Sequence, residues 1–486
     1  MPYNHGVRVV EQPTATTAPL NGTAGLQVVF GTAPVNLAAD PTAVTNTPVI
    51  AYTFEEAASK LGYSDDWANY TLCQAMYASF KLFAVAPVVF VNVLDPATHK
   101  TDVSTAAEVA VTALQGKLDV KGVLKSTVVV KASSEGEALT EGTDYVLGFD
   151  DDGALIITLL KTGTAASAAT LYVTYTKLNP AGVTAATVVG ATSGTTETGL
   201  EVLRQVYPKF GLVPGIITAP GWSQDPDVGV ALAAKCEEIN GYFSCEAYID
   251  IDSSADGCTA YTGVKTAKES AGITSPHVMA LWPCLKSGTH IFDASAVFGA
   301  LTQYTDALND DVPSLTGNKA LPITAACLKD GTEVLLDQVQ ANAVNAAGVT
   351  TALNIGGWKS WGNNSAAYPA TTDPKDRWFN CRRFFSWWGN TFELTYASKV
   401  DNPADFRLIE AVVDGENIRG NAYVASGKCA AVRCEFNETE NQISDILNGK
   451  LTFHLFLAPW IPAEDIVATL EFDPDGLVAA LNGGAA

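Results

Sequence analysis

Two kinds of apolar run divide the chain. Leu26–Phe30, Leu212–Thr218, Phe243–Ile251 and His277–Trp282 are strand-length stretches of mostly apolar residues. Such runs suit strands buried on both faces, as in a parallel sheet. Near the end, KLTFHLFLAPWIPAEDIVATLEFD (residues 450–473) instead alternates: Ile466, Ala468, Leu470 and Phe472 are interleaved with Val467, Thr469 and Glu471. A two-residue period marks a half-buried strand, and this one is set off from the preceding strand run by Pro459 and Pro462. A strand needs a partner along at least one edge, so the question is what this one pairs with.

Helical periods fall between the apolar runs. Thr53 with Glu56 three residues on has the spacing of a capping box for a helix through Leu61, and a second helix is expected over Asp66–Phe83 before a strand at Val88–Val93. Asp225 as N-cap with Pro226 in the first turn predicts another helix. Further helices are expected at Ala260–Ser270, Ala294–Leu308 and Glu333–Ala346. The alternation predicts a doubly wound α/β core built from residues 23–94 and 196–370. Residues 95–195 break it: they are rich in Thr, Ala, Gly and Ser and hold short strand runs at Thr127–Lys131, Tyr145–Phe149, Leu155–Leu160 and Leu171–Thr176. A turn, FDDDG (149–153), joins two of them. This predicts a small, sandwich-like β module inserted into the core, with the aspartates serving as a solvated turn.

Residues 371–462 predict a compact α+β unit. Asp373 and Pro374 open a helix on which Trp378, Cys381, Phe385 and Trp388 form an apolar stripe, with Arg382 and Arg383 on its flanks. A helix at Ala404–Val424, a strand at Lys428–Phe436, a helix at Glu438–Leu447 and a strand at Leu451–Leu457 follow. Residues 1–22 and 463–486 read as extended arms, each with a short strand, at Val7–Val10 in the first.

Composition narrows the function classes. At 47% hydrophobic residues and a mean hydropathy of +0.13 the chain has ample material for a core. No apolar run is long enough to cross a bilayer, and residues 1–20 show no secretory pattern of a basic start followed by an apolar stretch. Nine cysteines in an odd, scattered set without a C-x-x-C pair predict reduced, buried thiols. The net charge of −23 argues against nucleic acid as a partner. That charge is uneven: residues 375–450 carry ten Lys and Arg against eleven Asp and Glu, so nearly all the excess lies elsewhere. Walker, dinucleotide-binding, zinc-protease and nucleophile-elbow patterns are absent, and the five histidines are far apart. Nothing points to an enzyme, a metal or a cofactor.

The order of motifs CRRFFSWW, VDNP, a long helix, then FNETENQISDILNGKLTFHLFLAPWIPAEDIVATLEFD resembles the C-terminal domain of contractile-tail sheath proteins, and YNHGVRVVEQPT resembles their N-terminus. The resemblance implies a structural subunit of a virion tail or phage-tail-like particle, assembled in the host cytoplasm. It would polymerise as a helical homo-oligomer around a tail tube protein, with baseplate and terminator proteins at its ends, and contract to drive the tube through a target envelope. The sheath itself would enter no membrane. The C-terminal sheet would be completed by strands exchanged between subunits, through Val7, Val9 and Val10 at one end and Ile466, Ala468, Leu470 and Phe472 at the other, with Pro459 and Pro462 as the arm hinge. Arg377, Arg382, Arg383 and Arg407 would be candidates to face the tube. Three alternatives stay open at this point: both ends pairing within their own chain, an extracellular surface-layer or adhesin protein built around the β module, and an α/β enzyme carrying that module as an appendage.

Overall fold

The computed structural model describes residues 20–482, a mixed α/β protein with several sheets. Strands β1 (Gln27–Gly31), β2 (Pro48–Ala51) and β3 (Val88–Asn92) begin the largest sheet, with helix α1 (Phe54–Leu61) following β2. The chain then leaves through six strands: β4 (Lys100–Thr112), β5 (Gln115–Lys121), β6 (Val129–Lys131), β7 (Tyr145–Phe149), β8 (Ala154–Leu159) and β9 (Thr170–Leu178). It returns to the large sheet with β10 (Ile216–Thr218), α2 (Pro226–Ala234), β11 (Glu246–Asp250), β12 (Val278–Leu281), α3 (Ala294–Leu308), α4 (Gln338–Ala346), β13 (Val349–Asn354) and β14 (Trp358–Trp361).

The large sheet runs in the order β14-β13-β12-β11-β10-β1-β3-β2. Its central pairs are parallel, and only the outermost pairs, β13–β14 and β2–β3, are antiparallel. Every residue of β1, β3, β11 and β12 is buried, so both faces are covered, which is why these runs carry no alternation. Local signals set the helix starts. Thr53 accepts the Glu56 amide at 3.1 Å, and Glu56 reaches back to the Tyr52 amide at 2.8 Å. Asp225 caps α2 through the Asp227 amide at 3.0 Å. The helix expected over Asp66–Phe83 is shorter: it starts at Leu72 and widens into a π turn at Ala78–Leu82. The helix expected from Glu333 starts at Asp337, whose side chain caps the Gln340 amide.

The excursion forms one antiparallel sheet, β6-β9-β4-β5-β8-β7, around a hydrophobic cluster of its own that includes Val109, Leu118, Val130, Leu155, Ile157 and Val173. Strand β4 pairs with β9 along residues 100–110 but with β5 only through Val111 and Thr112, so the sheet folds into two halves over that cluster. The 149–153 turn lies between β7 and β8, where the Asp150 carboxylate accepts from the Ala154 amide and pairs with Lys117 at 2.7 Å. Entry and exit are adjacent, because Lys100 is registered opposite Leu178 and the Asn179 amide donates to the His99 carbonyl at 2.8 Å. All nine cysteines are buried and free. Among the described residues, no helix is long and apolar enough to cross a membrane.

Two outcomes are expected. Replacing residues 100–177 by a short linker removes the excursion with its own core and one buried member of the main hydrophobic core, Leu124. The remainder should unfold cooperatively with a midpoint within about 5 °C of the parent, measured by calorimetry. At the end of β11, burial with Asp293 nearby pushes the Asp250 carboxyl up to about 6. The folded state then holds this proton more tightly than the unfolded chain does, so stability should fall as pH rises from about 4 to about 6. Asp250→Asn should reduce the slope by up to about 1.4 kcal/mol per pH unit in denaturant titrations across that range, leaving the part due to Asp306, whose carboxyl is also raised to about 6.

Candidate assembly surface

After a single helical turn at Pro374–Arg377, the final unit comprises α5 (Phe379–Tyr396), α6 (Phe406–Ala425), β15 (Cys429–Glu435), α7 (Ile443–Leu447), β16 (His454–Pro459) and α8 (Pro474–Leu481). Asp373 caps its first turn, but Trp378 is extended and bridges to Asn364, so the helix expected to run on from Asp373 restarts at Phe379. Strands β15 and β16 pair antiparallel, Val432 opposite Leu457 and Cys434 opposite Leu455. A bulge between Cys429 and Ala431 resets the alternation, which is why the buried positions are Cys429, Val432 and Cys434. Cys429 and Val432 meet Phe384 and Trp388 of α5 in a small core.

Helix α5 has two buried faces. Phe384 and Trp388 serve the small core, while Phe379 lies 5.6 Å, ring to ring, from Tyr248 of the large sheet. Arg383 belongs to the second face: it is fully buried and holds Asp306 of α3 with both ends of its fork, Nη1 donating to Oδ1 at 3.2 Å and Nη2 to Oδ2. This corrects two expectations. Arg383 cannot face a tube, and the apolar stripe runs through Phe384, with Phe385 half-buried. Burial raises the Asp306 carboxyl, to about 6, while Arg383 opposes that shift. Neighbouring ties support the same junction: Asn390 exchanges two hydrogen bonds with the Ser244 backbone at 2.9 and 2.7 Å, and Lys428 meets Asp310 at 2.8 Å. Across the small core, the buried Glu416 accepts from Trp388 Nε1 at 2.8 Å and Arg419 at 2.9 Å, with the Arg419 guanidinium 3.9 Å from the Trp388 ring centroid.

The other arginines divide further. Arg377 is half-buried, 4.0 Å over the Trp378 ring and 3.5 Å from Glu464, and its Nε donates to Asn364 at 3.0 Å. Arg382 lies 3.4 Å from Asp376 and is mostly covered. Arg407 alone of the four is exposed. No pattern in the sequence marked Arg377 as an arm contact, because Glu464 lies 87 residues away.

Strands β15 and β16 pair only with each other among the described residues, so the sheet has two free edges. The chain beyond β16 stays tied for five residues. Trp460 Nε1 donates to the Gly427 carbonyl at 3.0 Å, Asn380 donates to the Trp460 carbonyl at 2.8 Å, and Asn363 and Arg377 both hold Glu464. Pro459 ends β16, and Pro462 lies between these ties. From Asp465 to Phe472 there is no hydrogen bond to the rest of the described chain and no regular secondary structure. Ile466 is 86% exposed, Leu470 94% and Phe472 74%, and Ala468 is also exposed. The strand expected at 466–472 is therefore unpaired here. Val7, Val9 and Val10 lie outside the described residues.

No protein-family model matches the chain. The tail sheath protein of Burkholderia phage BcepMu is 26% identical over 498 residues, spanning 99% of each chain. That of Escherichia phage P2 is 24% identical over 293 residues, 58% of this chain and 69% of its own. Among solved structures, a chain of the anti-feeding prophage baseplate superposes with a TM-score of 0.59 at 14% identity, covering 96% of this chain and 98% of that one. A chain of the contracted sheath complex of PVC, an extracellular contractile injection system, gives 0.57 at 13%, covering 98% and 99%. At these identities the two superpositions speak for the fold.

The buried pair generates a test. Arg383→Ala should destabilise the chain by about 3–5 kcal/mol in denaturant titrations, because it leaves the Asp306 charge buried alone. Arg383→Met with Asp306→Leu should recover most of that loss.

Proposed function

We propose, from the premise that this chain belongs to the family of contractile tail sheath proteins, that its copies join into a helical sheath by exchanging terminal strands. The observation that supports this most is the pairing of two needs in one chain. A sheet with two free edges stands beside an alternating apolar segment, 466–472, that has no partner of its own. β-Augmentation satisfies both at once, with main-chain hydrogen bonds supplying attraction and the apolar face supplying burial. Among the described residues, Glu464 is the last of the arm tied to the body by a side-chain contact, so the donated part begins at Asp465, slightly beyond the proline pair. Residues Val7, Val9 and Val10 are proposed for the second exchanged strand.

As a sheath subunit the protein is a structural part of a phage tail or phage-tail-like particle. We place the near-neutral C-terminal unit toward the tube, with Arg407 left as the outward cation among the four candidates, and the acidic excursion toward solvent. Assembly in the host cytoplasm, attachment to a baseplate and closure by a terminator belong to the same reading. Contraction would be driven by contact formed between subunits: an extra ~1,000 Å² of apolar burial per copy is worth ~25 kcal/mol before costs. No bound nucleotide is required. The surface-layer alternative finds no support among the relatives.

Two measurements check this. Purified protein viewed by negative-stain microscopy should form hollow cylinders or rings. Leu470→Asp with Phe472→Asp should leave a monomer with an unchanged melting midpoint and no polymers, because both side chains are exposed in the free chain. Polymers formed equally well by that variant would sink the exchange of the C-terminal segment.

A further inference from the structure

Helix α8 is a feature that the exchange of strands does not explain. Pro474 occupies its first turn and the Asp473 carboxylate accepts the Gly476 amide at 2.9 Å, so the sequence encodes a helix start, not a continued strand. Eight residues are too few to hold a helix in water without a packing partner. Leu477, Val478 and Leu481, spaced i, i+1 and i+4, form one apolar stripe, and all three are exposed. Among the described residues, all three stay at least half exposed.

We propose that α8 is a second anchor: its stripe docks on α7 of the neighbouring copy that accepts strand 466–472. The inference rests on the exchange proposed above and adds a distinct contact to it. The first argument is reach. Only Asp473 separates Phe472 from the helix, so α8 must land within about 7 Å of the end of the accepting sheet edge. The second is direction. On the outer edge of β16, the edge this proposal assigns, antiparallel pairing leaves Phe472 near His454, the first residue of that strand. Helix α7 leads into that end through residues 448–453 alone. The third is an apolar counterpart of the same length. Ile443 and Leu447 of α7, spaced i and i+4, are 77% and 81% exposed and likewise lack cover. Two single-turn stripes, one on the donated arm and one at the accepting edge, then bury each other.

Charge permits this placement and disfavours others. Residues 460–486 contain Glu464, Asp465, Glu471, Asp473 and Asp475 and no Lys or Arg. The acidic core and excursion would repel such an arm, whereas the accepting end offers Lys450 and His454 alongside Asp445 and Glu440. The contact at α7 is thus apolar at its centre.

The test uses the full chain. Leu477→Asp with Leu481→Asp, and separately Ile443→Asp with Leu447→Asp, should each raise the concentration of unassembled protein about tenfold or more in sedimentation of polymers. The quadruple variant should be no worse than either pair, since both pairs remove one contact. Single cysteines at Leu481 and Leu447, introduced together, should give a ladder of disulfide-linked oligomers in polymers and none in dilute monomer. The nine native cysteines are buried and do not compete. Pairs that sediment like the parent, strictly additive losses or the absence of a ladder would each overturn the docking of α8 on α7. Failure of the parent chain to polymerise, or polymers that persist in the Leu470→Asp/Phe472→Asp variant, would instead overturn the exchange on which it rests.

Discussion

Open strand edges are the constraint around which the C-terminal half is organised. An antiparallel pair satisfies only the amides and carbonyls between its strands; the outer row of each must find water or another chain. Here one face of the β15–β16 pair is sealed by α5 and α6, so the sheet already has its apolar layer and lacks only neighbours. Packing on those helices is what lets a two-stranded sheet stand here. Adding a strand with an apolar face gains hydrogen bonds and burial together.

Open edges also invite indiscriminate aggregation, and the arm limits it. Its five carboxylates keep free copies apart from one another, and Pro459 and Pro462 interrupt pairing at its root. The ties at Gly427, Asn380, Asn363 and Arg377 fix where the arm departs. A segment anchored at one end and unpaired beyond it is confined near its own surface, which raises its effective concentration for an adjacent copy.

In the proposed exchange, a lattice held by such arms would transmit force only if the unit bearing the edges is firmly joined to the rest. That junction depends on Arg383. Its fork spans from α5 to Asp306 on α3, both wholly inside the protein, and the Asn390–Ser244 pair repeats the connection nearby. Buried ion pairs add little net stability compared with an apolar contact of equal size, but they tolerate few alternative geometries.

Much of the architecture could be read from the chain because it is local. Unbroken apolar runs marked the central strands, Thr53, Asp225 and Asp373 marked helix starts through their own side-chain caps, and the Thr/Ala-rich stretch marked the excursion. The alternation at 466–472 and its lack of a partner in sequence were also visible. Two features depended on contacts between distant residues. Arg383 reads as a flank of an amphipathic helix, yet α5 is packed on two sides, and only the approach of α3 turns that arginine inward. Arg377 reads as a surface cation, but the fold brings Glu464 to it. Helix α8 escaped notice because five apolar and small residues after a proline look like a frayed end until the capped backbone is seen. Period and capping are properties of neighbours along the chain, so sequence alone determined the elements; which face meets which, and which charges are hidden, depends on packing in three dimensions, and that only the tertiary structure decided.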